Sequence, residues 1–180
     1  MPRISPVTQP SGEAKSLLEA VQSKLGATPN LFRTFAHSSA ALNGLLAMFA
    51  AADANALGGK LNEKLAIAVA DANGCQYCLS AHTYLGKHVA KLDDQALSVA
   101  RAGQSSDARE QAALKFALTL LETGGHVSEA EFKAVRAAGF ADAEVLDIVT
   151  AVVLNIFTNY VGVLTQVEVD FPVVKRRDAA

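Results

Sequence analysis

The chain has 180 residues, of which 51% are hydrophobic and 19% charged, with a formal charge of −2. That is enough apolar material for one globular domain, and it argues against disorder and against a basic surface for nucleic acid. Two cysteines are too few for a disulfide-stapled secreted scaffold.

Alanine, the strongest helix former, supplies 34 residues, and no proline falls between Asn30 and Phe171. The expectation is an all-α helical bundle of about eight or nine helices in a single domain, 1–180. Ser11 can cap a first helix that stops near Gly26, with Leu17, Leu18, Val21 and Leu25 on one face. Thr28-Pro29-Asn30 is a turn, followed by a short helix through Leu31, Phe32 and Phe35. A third helix spans 39–57 and is stopped by Gly58-Gly59. Asn62 can cap a fourth, which Asn73-Gly74 ends. A fifth runs from Cys75 to about Val89, a sixth over 93–101 and a seventh over 107–123. Ser128 and Glu131 have capping-box spacing for an eighth, closed by Gly139. Asp142 caps the last helix, which reaches about Val167.

Residues 148–167 carry no formal charge and have the length of a membrane span. Thr150, Asn155, Thr158, Asn159, Thr165 and Gln166 would be costly against lipid, so a buried helix with a polar seam is expected and no membrane. Residues 1–10 lack an apolar stretch of the secretory type, which makes the cytoplasm the expected location. Lys175-Arg176-Arg177 reads as a solvated end. Glu63, Leu65 and Ile67 are faintly echoed by Glu144, Leu146 and Ile148.

Cys75-Gln76-Tyr77-Cys78 is the one reactive cluster. Gly74 ends one helix, so Cys75 falls at the start of the next, where free N–H groups and the helix dipole favour a thiolate. Cys75 and Cys78 are three apart, close enough to form a disulfide. His82 lies one turn beyond Cys78 and can take a thiol proton. If the flanking helices pack antiparallel, Glu63 can return a carboxylate toward His82. Such a pair suits reversible oxidation: a thiolate opens a peroxide O–O bond, a second thiol condenses with the sulfenic acid, and an external thiol reduces the disulfide.

The pattern Glu63-x11-Cys75-x-x-Cys78-x3-His82 resembles the alkylhydroperoxidase D-like, peroxidase-related branch of the carboxymuconolactone decarboxylase family. Residues 26–41, with Pro29-Asn30 and Ala36-His37-Ser38, resemble the segment that leads into the domain in that branch. Ala138-Gly139-Phe140 and the following helix with Asn155 and Asn159 are similar as well. The motif-bearing core is about 39–103. The resemblance implies an all-helical homo-oligomer with active sites near subunit contacts. It implies that Cys78 attacks the peroxide, Cys75 resolves, and His82 with Glu63 relays protons. Tyr77 stands where the better-known peroxidase has a second histidine, and is a candidate orienting group. The implied partners are a hydroperoxide substrate, organic if the pocket is apolar, and a lipoyl-bearing or thioredoxin-like dithiol donor; no bound cofactor is needed.

Two other readings stay open. One is a cofactor-free acid–base enzyme that uses Glu63 and His82 on a lactone-like acid. The other is a non-enzymatic helical oligomer that senses oxidation, or that binds zinc through Cys75, Cys78 and His82, with His37, His88 or His126 as a distant fourth ligand. Asn155 and Asn159 are read as interhelical or subunit hydrogen-bonding groups, or as cavity lining.

Overall fold

A computed structural model describes residues 1–177 of the chain. The described residues form nine α-helices and no strand. They are α1 (Gly12–Leu25), α2 (Asn30–Phe35), α3 (Ser39–Ala54), α4 (Gly58–Ala72), α5 (Gln76–His88), α6 (Asp94–Ala100), α7 (Ala108–Thr123), α8 (Glu129–Ala137) and α9 (Asp142–Thr165).

Local chemistry sets most of the boundaries. Gly26 ends α1 and Gly124 ends α7 in the left-handed conformation. Asp93, Asp107 and Ser128 each accept a backbone N–H at the start of α6, α7 and α8, and Glu131 completes the capping box with Ser128. Two boundaries depart from expectation. Gly58 and Gly59 do not stop α3; they open α4, because Asn55 has already ended α3 by accepting the Leu57 N–H at 3.0 Å. Asn62 is therefore inside α4, where its side chain bonds Asn55 and the Ala52 carbonyl. The N-cap of α9 is Ala141, whose N–H donates to Glu144 at 2.9 Å, rather than Asp142.

Two apolar clusters share α4 and α9. One gathers α1, α2, α3 and α5 around Ile67, Ala70, Leu154 and Val167. The other packs α7 and Phe140 on Leu61, Leu65, Val69, Ile148 and Val152. A helix facing both clusters has to be apolar on most sides, and α4 buries Leu61, Leu65, Ala66, Ile67, Ala68, Val69 and Ala70. Long and apolar enough to cross a membrane by length and composition, α9 has half of its most apolar window buried within the fold. The echo between Glu63–Ile67 and Glu144–Ile148 extends to burial only in part: Ile67 and Ile148 are both buried, but Leu65 is buried and Leu146 exposed.

The C-terminal segment departs from expectation in part, because Lys175 and Arg177 are exposed as a solvated end should be, yet the segment is bonded to the fold. The Val174 N–H donates to Ser80 Oγ at 3.1 Å, and Gln76 donates to the Val174 carbonyl. Arg101 donates to the Lys175 carbonyl at 2.7 Å, Arg176 to the Gly74 carbonyl at 2.8 Å, and Arg177 pairs with Asp71. Residues 169–177 thus lie as a strap along the start of α5. Asp71 is almost wholly buried and also holds Arg101, so it ties α4, α6 and the strap together.

Candidate active site

The hairpin α4–α5 carries the four predicted site residues. Its turn is closed by Gly74, at φ +66°, and by the Cys75 N–H donating to the Ala70 carbonyl at 2.9 Å. Helix α5 then starts with Cys75 as its N-cap, and the Cys78 N–H donates to Cys75 Sγ at 3.2 Å. Cys75 and Cys78 form a disulfide with Cα atoms 5.4 Å apart. Both are buried, at 1% and 2% exposure. Gly162 of α9 lies against them: a Cβ at that position would sit 2.9 Å from Cys75 Sγ and 3.6 Å from Cys78 Sγ. Only glycine lets the α9 backbone approach so closely.

One turn along α5, His82 Nδ1 is 2.9 Å from Glu63 Oε2. The antiparallel packing of α4 and α5 makes this contact, since the two residues lie on facing sides of the hairpin. Both side chains keep some solvent contact, at 16% and 21% exposure. A carboxylate on Nδ1 favours the tautomer with the proton there, which leaves Nε2 as the free acceptor.

Tyr77 is buried on the same helix. Its hydroxyl accepts the Leu31 N–H at 3.2 Å, and Phe171 of the strap meets its ring edge-on. Burial pushes the phenol far above its ordinary value; the Leu31 N–H opposes the rise and Asp170 adds to it. Tyr77 is thus a protonated anchor between α5, α2 and the strap.

The polar seam of α9 divides. Asn159 accepts from Asn73 Nδ2 at 2.9 Å and so fixes α9 to the α4–α5 turn, whereas Asn155 donates to the Ala151 carbonyl of its own helix. His88 is exposed and stacks near Tyr84. His37 bonds the Ser5 carbonyl. Among the described residues, no three His, Cys, Asp or Glu side chains converge as a metal site.

Sequence reasoning missed Gly162, Asp71 and Arg176 as parts of this site. An isolated glycine inside an apolar helix was a signal for Gly162. Asp71 meets Arg177, and Arg176 meets the Gly74 carbonyl, each across about a hundred positions, and local pattern carries no sign of either contact.

Comparison with known proteins agrees with this fold. The model of the carboxymuconolactone decarboxylase family matches residues 38–119, which contain the whole α4–α5 hairpin. A peroxidase-related protein from Silicibacter sp. TM1040 is 26% identical over 90% of this chain and 87% of that one, with a TM-score of 0.79. An alkylhydroperoxidase AhpD core, a peroxidase-related protein from Ralstonia eutropha JMP134, is 25% identical over 93% of each chain, also at 0.79. A debrominase shares the fold at a TM-score of 0.77 with 17% identity, covering 93% of this chain and 91% of its own. No curated protein sequence matches the chain.

Proposed function

The chain belongs to the carboxymuconolactone decarboxylase family, and on that premise we propose that it is a thiol-dependent hydroperoxide reductase. One observation carries the reading: a Cys75–Cys78 disulfide at the N-terminus of α5, with a Glu63–His82 pair one turn further on the same hairpin.

In the reduced protein, His82 Nε2 accepts the Cys78 thiol proton, and Glu63 steadies the imidazolium. The Cys78 thiolate attacks the near oxygen of the hydroperoxide. The O–O bond breaks, Cys78 becomes a sulfenic acid, and the departing alkoxide takes the proton from His82 and leaves as the alcohol. The Cys75 thiolate then attacks the sulfenic sulfur. Hydroxide leaves as water with one proton, and the disulfide forms. An external dithiol, of lipoyl or thioredoxin type, donates two electrons and two protons to restore both thiols. The apolar surroundings of the pair, with Leu154, Val161 and Val167 in the same cluster, favour organic hydroperoxides. No bound cofactor takes part. A reducing cytoplasm would suit such a cycle.

We include self-association in the proposal. Leu146, Val149, Val153, Ile156, Tyr160 and Val163 follow one another at three- and four-residue steps along α9, the spacing of a helix–helix seam. Leu146, Val153, Tyr160 and Val163 are exposed. Light scattering of the purified chain tests this, and a strict monomer would contradict it.

Turnover of an organic hydroperoxide with a dithiol donor tests the activity. Cys78→Ser should abolish it. Cys75→Ser should allow one attack and stop at a trappable sulfenic acid. Full turnover in Cys78→Ser would instead favour acid–base chemistry at Glu63 and His82.

A further inference from the structure

The strap brings a cation to the start of the helix that carries the redox pair. Arg176 Nη1 donates to the Gly74 carbonyl at 2.8 Å, and that carbonyl belongs to the peptide whose nitrogen is Cys75. The contact is built on both sides. Gly74 leaves the room, since a Cβ there would lie 2.8 Å from Arg176 Nη1. The strap is held on either side of Arg176 by the Val174–Ser80 and Arg101–Lys175 bonds and by the Arg177–Asp71 pair.

We propose that Arg176 is a positioning residue for the redox pair, holding positive charge beside the N-cap so that reduced Cys75 is kept as a thiolate. This deepens the proposed function and rests on the cysteine pair cycling between disulfide and dithiol. Cys75 already receives the Cys78 N–H, as an N-cap anion should. The charges around the turn favour the anion further. Asp71 is matched by Arg101 and Arg177, leaving Arg176 as the added cation. Asn159 and Gly162 of α9 are uncharged, Asp170 faces Tyr77, and Glu63 is engaged with His82.

The consequence is directional. A thiol of lower pKa is the better leaving group in thiol–disulfide exchange. An external dithiol therefore attacks Cys78 Sγ, the S–S bond breaks, and its electron pair leaves on Cys75. In the oxidative half, the same thiolate is ready to attack the Cys78 sulfenic acid, with hydroxide leaving as water.

The test is a thiol titration without peroxide. In a Cys78→Ser background the single thiol of Cys75 is followed by thiolate absorbance and by iodoacetamide alkylation across pH. Arg176→Gln should raise the midpoint by about one unit, so thiolate below the midpoint falls about tenfold. Alkylation there should slow about threefold, because the more basic thiolate is intrinsically more nucleophilic. Arg176→Lys should recover most of the shift, since it keeps the charge. An unchanged midpoint in Arg176→Gln overturns the proposal, as does an equal shift in Arg176→Gln and Arg176→Lys. Because no peroxide is used, the two readings fail separately. A raised midpoint without hydroperoxide turnover leaves Arg176 standing and sinks the peroxidase; turnover with an unmoved midpoint does the reverse.

Discussion

Replacing Gly162 with alanine probes the contact that seals the disulfide. In most helix interiors Gly→Ala is favourable by about 1 kcal/mol. Gly162 has helical backbone with no positive φ, so alanine meets no local strain there. Its Cβ, however, would fall 2.9 Å from Cys75 Sγ and 3.6 Å from Cys78 Sγ, with Val167 Cγ1 at 3.9 Å. The first distance is well inside the roughly 3.5–4.0 Å optimum for non-bonded heavy atoms. Cys75 is nine-tenths or more buried, and its sulfur is tied to Cys78, so it cannot swing away. Overpacking of this kind costs about 1–3 kcal/mol. The net effect is a loss of about 1 kcal/mol, or about 2–4 °C in Tm for a chain of this size. Gly44 of α3 is the control. It too is helical, and a Cβ there meets nothing within 4 Å. Gly44→Ala should raise Tm by about 2–4 °C. Thermal unfolding of the two oxidised variants, side by side, should therefore separate them by about 4–8 °C. If Gly162→Ala melts at or above Gly44→Ala, the close approach of α9 to the disulfide is wrong.

Three further outcomes follow from the site and the fold. His82→Gln should lower hydroperoxide turnover by about a hundredfold or more, and Glu63→Gln by less, because the glutamate acts through the histidine; equal turnover in wild type and His82→Gln would refute the relay. Tyr77→Phe leaves the Leu31 N–H without its acceptor and should cost about 1–3 kcal/mol by urea unfolding. Because burial keeps the Tyr77 phenol protonated, the same variant should leave the alkaline limb of the pH–rate profile unmoved. The Ala141 N–H, and then Arg109, hold Glu144 below the usual carboxylate range. A depressed folded pKa gives stability that is present above the unfolded pKa and lost as pH falls through the folded one. Glu144→Gln should therefore melt below wild type at neutral pH, with the gap closing in acid; a gap that stays constant with pH contradicts this.

Much of the fold was legible because short-range signals set it. The Ser128–Glu131 capping box, the Asp93 and Asp107 caps and the left-handed glycines Gly26 and Gly124 each act within a few residues. The Glu63–His82 meeting was legible as a conditional, since it needed only that α4 and α5 fold back about Asn73-Gly74. Boundaries failed where two signals competed. Gly58-Gly59 read as a stop, but the Asn55 side chain breaks α3 first and the glycines serve the next helix. The tail was read only in part, for a different reason: Lys175 and Arg177 are exposed, but the segment is also anchored. Lys175-Arg176-Arg177 has the composition of a solvated end, and only its distant partners Arg101, Gly74 and Asp71 make it structural. Asn155 and Asn159 looked alike in sequence, yet one bonds within its helix and the other across to the hairpin turn. Which of two such residues faces a polar neighbour depends on packing that no spacing rule encodes.

The central claim is that Cys75 and Cys78 are a peroxide-reactive pair. It is tested most directly by treating the fully reduced protein with one equivalent of an organic hydroperoxide, then following thiol count and intact mass over time. The account predicts rapid loss of both thiols, with the mass change of one internal disulfide. Thiols that react no faster than free cysteine would contradict it.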